Sequence, residues 1–132
     1  MERIRLVLDS NIFHHKIFLA WLRKRADIEV TIPIIAYVEI YLRSVRRGLV
    51  KELEIILRGI NTSITPLERT IGERAVDEAV RNPKLPFRDH ARDFLIGATA
   101  LQQGGILVTQ NKRHFKWMGD LARSPEEIMR EW

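Results

Sequence analysis

The chain has 132 residues, of which 45% are hydrophobic and 30% charged, and it contains no cysteine. That length and balance fit a single globular domain over residues 1–132 with a real core. The missing thiols exclude disulfides and thiolate metal sites, so any metal must be held by oxygen or imidazole. Lysine and arginine outnumber acids 22 to 17, a net charge of +5. Such a surplus favours a polyanionic partner, nucleic acid first, against the bland alternative of a merely basic surface.

Met1-Glu2-Arg3 leads into a short strand pattern rather than a long apolar stretch, so no signal peptide is read there. The longest apolar run carries Glu39 and is too short to span a bilayer, so the expectation is a cytoplasmic protein without a membrane partner. Ile4 to Leu8 reads as a buried strand, followed by the turn Asp9-Ser10-Asn11. Phe13, Ile17, Ala20 and Trp21 recur at helical spacing. Ile28 to Ile32 looks like a second strand, and Pro33 sits in the first turn of a helix that carries Ile34, Val38, Tyr41, Leu42 and Val45 on one side and stops at Gly48.

A further helix runs from about Val50 to Arg58, and Asn61 to Thr65 reads as a short strand. Thr65-Pro66-Leu67-Glu68 has the form of a capping box with proline at the first helical position, which predicts a helix starting there and broken by Asn82-Pro83 and Pro86. Asp89 to Gln103 reads as a helix ended by Gly104-Gly105, then Ile106 to Thr109 as a strand. Ser124-Pro125-Glu126-Glu127 caps a last helix. Strands alternating with helices predict an α/β sandwich with a mostly parallel sheet. Ligands of such sheets bind beyond the carboxyl ends of the strands, where Asp9 and Asn111 fall and where the Glu39 helix begins.

Three acids stand inside apolar segments. Asp9 ends Ile4 to Leu8, Glu39 interrupts Ile34 to Leu42, and Asp93 opens Phe94-Leu95-Ile96-Gly97-Ala98-Thr99-Ala100-Leu101. Each has an ordinary explanation: Asp9 as a cap, Glu39 as an i,i+4 partner of Arg43, Asp93 as a dipole-stabilising residue of a first turn, with Asp89 one turn earlier doing the same. Together they suggest one site, because clustered carboxylates repel one another unless a cation sits between them, and Mg²⁺ suits oxygen ligands. His14, His15, His90 and His114 read as structural or surface residues, since no His-x-x-x-His or zinc spacing is present. Trp21, Trp117 and Trp132 are too scattered for a stacking platform and read as core or edge residues.

The ordered set of β-strand–Asp9-Ser10-Asn11-Ile12, Glu39, Asp93 to Leu101, and Leu107-Val108-Thr109-Gln110-Asn111-Lys112-Arg113-His114-Phe115 resembles the PIN-domain ribonucleases, and most closely the VapC-like toxins of prokaryotic toxin–antitoxin pairs. The resemblance implies a three-layer α/β/α sandwich and a metal-dependent endoribonuclease leaving a 5′-phosphate and a 3′-hydroxyl. It implies that Asp9, Glu39 and Asp93 are catalytic and hold Mg²⁺ or Mn²⁺. Asn111 matches a fourth catalytic position that is often Asp. Ser10 and Thr109 match supporting hydroxyls, and Asp89, one helical turn before Asp93, is a candidate for an extra, outer ligand. Gly97 stands where alanine is more usual, a departure with little chemical meaning. Arg43, Arg46, Arg47, Lys112, Arg113 and Lys116 flank the acids and are candidates for gripping RNA. A toxin of this kind implies a homodimer and a small antitoxin that blocks the cleft, often with a basic side chain entering the acidic pocket. Three other readings stay open: a silent nucleic-acid- or protein-binding module on the same fold, an RNA-processing nuclease that is not a toxin, and a phospho-acceptor domain using Asp9 as nucleophile.

Overall fold

A computed structural model describes residues 3–132; the Met1-Glu2 start lies outside them. Five strands, β1 (Ile4–Leu8), β2 (Ile28–Pro33), β3 (Thr62–Thr65), β4 (Ile106–Val108) and β5 (Ala122–Arg123), pair in the order β3-β2-β1-β4-β5, and every pairing is parallel. Parallel sheets need cover on both faces. It comes from α1 (Lys16–Arg23), α2 (Ile34–Arg47), α3 (Val50–Gly59), α4 (Arg69–Arg81), α5 (Phe87–Gln103) and α6 (Pro125–Glu131), with 3-10 segments at Ser10–His14 and Lys112–Leu121. Right-handed crossovers place α1 to α3 over one face on the way out to β3, and α4 and α5 over the other on the return to β4. The result is the expected three-layer α/β/α sandwich. Strand order reverses between β1 and β4, which makes their carboxyl ends the switch point where ligands of such sheets bind, and Asp9 N–H is tied there to the Val108 carbonyl at 3.0 Å.

The central strands are buried on both sides: Leu6, Val7, Leu8, Leu107 and Val108 have no solvent exposure. Ile96 and Ala100 of α5 join this core, while Phe94 and Ala98 on another side of the same helix pack with Ile71 and Ala75 of α4. A helix apolar on nearly all sides therefore lies between two clusters. Among the described residues no helix is long and apolar enough to cross a membrane.

Several local expectations are corrected. Thr65 does not start a helix: it is the last residue of β3, paired with Pro33, and its hydroxyl meets that of Thr31 at 2.5 Å. Sheet pairing outcompetes the cap, and α4 begins at Arg69, with Glu68 making no side-chain capping bond. The pattern over Phe13 to Trp21 is two elements broken at His15, whose Nδ1 accepts the Phe18 N–H and starts α1. The buried face of α1 is Phe18, Leu19 and Leu22, leaving Ile17 and Ala20 in solvent. On α2 the side carrying Val38, Tyr41, Leu42 and Val45 faces outward, and Ala36 and Ile40 face the core. The 3-10 segment over Lys112–Leu121 and the two-residue β5 have no counterpart in the sequence reading.

Gly97 proves consequential for packing. A Cβ there would lie 2.5 Å from the Trp117 ring and 2.9 Å from Met118 Sδ, because Trp117 packs against Phe94 one turn away, centroids 4.9 Å apart. Gly97→Ala is expected to destabilise the fold by about 1–3 kcal/mol through overpacking, read as a lower urea midpoint. At the other end of the chain the Ser124 capping box forms as predicted, and Glu127 also receives Lys112 Nζ at 2.8 Å. Lys112, with the Ser124 N–H, holds the Glu127 carboxyl down at about 2. Its contribution to stability is therefore complete above the ordinary glutamate range near pH 4.5 and lost as pH falls towards 2. The gap in melting temperature between wild type and Glu127→Gln should narrow over that acid window.

Candidate active site

Asp9 follows directly from β1 and enters the crevice as the cap of the Ser10–His14 turn, so its ordinary role and its place in a site coexist. Its side chain is only 1% exposed. Both oxygens are occupied: Oδ1 accepts from the Ser10 N–H at 2.7 Å, and Oδ2 accepts the Thr109 hydroxyl at 2.8 Å. Thr109, fully buried after β4, accepts in turn from the Asn111 backbone N–H and from Asn11 Nδ2. Asn11 Oδ1 accepts the Gln110 N–H. Asn11 and Thr109 thus tie the loops after β1 and β4 across the switch point and fix Asp9 between them.

Glu39 comes from the middle of α2 and Asp93 from the second turn of α5, beyond a break at His90 where the backbone leaves helical geometry (φ −123°, ψ 18°). Arg92 joins all three acids. Its Nε donates to Glu39 Oε2 at 2.7 Å, its Nη1 to Asp93 Oδ1 at 2.9 Å, and its Nη2 to Glu39 Oε1 and Asp9 Oδ1, each at 2.7 Å. Nη2 also lies 3.0 Å from Ser10 Oγ. Burial pushes the Glu39 carboxyl up, but Arg92, with help from Ser10 and Arg43, more than offsets this and holds it below the usual carboxylate range. Burial likewise works against the Arg92 charge, yet its bonds to Glu39 and the charge of Asp9 outweigh it and raise the guanidinium's proton affinity further.

The three acids therefore meet at one residue, Arg92, which has no place in the family pattern. Asp9 Oδ1 and Glu39 Oε1 share one nitrogen, and the carboxylates stand at guanidinium spacing. As they stand, no three acidic or imidazole side chains among the described residues form a group able to hold a metal ion. The donor set itself is all oxygen, with hydroxyl support, which is the chemistry of a hard cation site. Ser10 and Thr109 lie in this cluster; Asp89 and Asn111 are exposed, and Asn111 meets it only through its backbone N–H on Thr109. His114 reaches the rim, with Nδ1 3.7 Å from Asp93 Oδ2.

Of the candidate RNA contacts, Lys112 is bound to Glu127, and Arg43 is hydrogen-bonded to His14 rather than to Glu39. Arg46, Arg47, Arg113 and Lys116 are exposed, the last two beside Phe115 and Gly119 in a shallow hollow.

Fold and site together define an α/β domain with three acids bridged by one arginine at the switch point of a parallel sheet. A family model for the PIN domain matches residues 4–120, and the chain belongs to the PIN domain family. Among solved structures it is similar to a toxin–antitoxin complex from Klebsiella pneumoniae (TM-score 0.71, 19% identity, covering 91% of this chain and 97% of that one). It is also similar to FitAcB from Neisseria gonorrhoeae (TM-score 0.71, 20% identity, 92% and 98%) and to VapBC-1 from nontypeable Haemophilus influenzae (TM-score 0.69, 17% identity, 91% and 96%). No curated protein matches the chain by sequence.

Asp9 depends on its hydroxyl donor. Thr109→Val keeps the shape but leaves a buried carboxylate oxygen short of a partner, and is expected to lower unfolding free energy by about 1–3 kcal/mol, measured by urea denaturation.

Proposed function

We propose that the chain is a divalent-metal-dependent endoribonuclease and the toxin of a VapBC-type pair. The observation that carries the reading is the convergence of Asp9, Glu39 and Asp93, from three separate elements, on the single cationic group of Arg92. A cluster that gathers three carboxylates around a positive charge is suited to hold a cation, and its all-oxygen composition suits a hard divalent ion such as Mg²⁺ or Mn²⁺. When bound, such a cation supplies an acidified water and neutralises charge on the phosphoryl oxygens. Asp9, Glu39 and Asp93 would hold it. Asp9 is fixed by Ser10 and Thr109 and serves as the rigid anchor. Glu39 is the most solvent-accessible of the three and is the carboxylate that water reaches as proton acceptor. Arg46, Arg47, Arg113 and Lys116 supply positive charge for the RNA backbone.

The partner reading draws on a different surface. Val38, Tyr41, Leu42 and Val45 of α2 are exposed together with Leu49, next to a cleft lined by Phe13, His14, Ile40, Arg43 and Arg47. A contiguous apolar strip of this kind marks an interaction site. The similar structures from Klebsiella and Haemophilus are a toxin–antitoxin complex and a VapBC pair, which supports a small antitoxin as its occupant. A homodimer belongs to the same proposal, with exposed Leu67, Val76 and Val80 around α4 as its apolar contact. A phospho-acceptor role for Asp9 is disfavoured, because both of its oxygens are engaged and its side chain is out of solvent.

The deciding experiment incubates the purified chain with a structured RNA in Mg²⁺ or Mn²⁺. Cleavage leaving 5′-phosphate ends, abolished by chelator and reduced at least about a hundredfold by Asp93→Asn, is the expected result. RNA binding without cutting in either metal would instead identify a silent binding module.

A further inference from the structure

We infer that Arg92 is a built-in counter-ion of the acid cluster, which a divalent cation must displace in order to bind. This rests on the metal-site reading and adds to it a competitor carried by the chain itself. The guanidinium does not merely border the pocket. Through its three nitrogens it engages at least one oxygen of each acid, Asp9 Oδ1, both Glu39 oxygens and Asp93 Oδ1, at 2.7 to 2.9 Å. These are charge-assisted bonds on the lone pairs a metal would use. Mg²⁺ needs its oxygens at about 2.0–2.1 Å, closer than a nitrogen allows, and two positive groups would repel at that separation. The guanidinium and the metal therefore exclude each other.

The geometry also provides the exit. Asp9 is held from both sides, whereas the Arg92 side chain is 36% exposed and rises from α5 just past the break at His90. A long side chain at the pocket mouth can turn to solvent without disturbing the core, so release requires no change of fold. A single chain thus has two charge-compensated forms of one pocket, one closed by its own arginine and one open to the metal. Because the arginine is tethered beside its acids, it acts at high effective concentration and needs no second protein.

The test compares wild type, Arg92→Gln and Arg92→Lys by calorimetric titration with Mn²⁺ alone and by thermal melting with and without Mn²⁺. Arg92→Gln should bind Mn²⁺ about 5- to 150-fold more tightly than wild type. Its metal-free midpoint should fall, since three carboxylates lose their counter-charge, and saturating Mn²⁺ should close that gap. Arg92→Lys keeps a charge but not the fork, and should fall between the two; should Arg92→Gln not fold without metal, the comparison of Lys with wild type decides. Equal or weaker Mn²⁺ binding in the folded variants overturns the inference and leaves the metal site standing. No Mn²⁺ uptake by any of the three overturns the metal site and the inference with it. A merely structural arginine would destabilise the variants equally in both conditions.

Discussion

Burying a carboxylate as completely as Asp9 is buried requires that nearly every lone pair find a donor, since an unpartnered charge out of water costs several kcal/mol. The surrounding structure can be read as the answer to that requirement. Thr109 comes from the end of β4, Ser10 from the turn after β1, and the guanidinium from α5. These are the elements that meet where the strand order reverses. The parallel pairing of β1 with β4 brings Thr109 to Asp9, and the break at His90 precedes the turn that carries Arg92 and Asp93. The topology and the acidic pocket are not separable, because the donors that make the burial tolerable exist only in this arrangement.

Much of this was legible in the chain. Acids at the ends and centres of apolar runs are informative because burial penalises them, so their convergence could be inferred from separated segments. The parallel α/β order followed from strand and helix alternation. The departures from the sequence pattern have a common physical origin: tertiary contacts override the local rules. Thr65-Pro66-Leu67-Glu68 satisfies the spacing of a capping box, but the Thr65 hydroxyl is claimed by Thr31 and its backbone by the sheet. Helical periodicity located the apolar stripe of α2 correctly and gave no indication of which stripe faces the core. Gly97 looked like a small variation because sequence cannot show a Trp117 ring lying across it.

The role of Arg92 is hidden from sequence patterns for a different reason. Adjacent helical residues project about 100° apart, so an arginine next to a candidate ligand reads as its solvent-facing neighbour. The length of the side chain defeats that rule, since a guanidinium reaches back across the angle that separates the Cβ atoms. The available signal was electrostatic. Three converging acids without a cation are unstable as a group, and any basic residue within side-chain reach was a candidate partner. Asn11 likewise gives no local sign that it ties two loops, because besides its contact with Asp9 its bonds go to residues about a hundred positions away.

The distribution of charge around the pocket bears on how a polyanion could approach it. An acidic floor repels phosphate, and the repulsion is strongest where the medium is least polar. In this chain the floor carries its own positive group, and the exposed Arg46, Arg47, Arg113 and Lys116 add further positive charge to a surface already in excess. On the proposed function, an RNA backbone would meet those exposed side chains before the buried Asp9. Affinity and chemistry would then be carried by different residues: dispersed cations set how strongly a chain of phosphates is held, with the salt dependence such contacts bring, while the fixed cluster around Asp9 determines what happens to one of them. The net charge of +5 is consistent with this division, because a positive long-range field favours the approach of an anionic ligand.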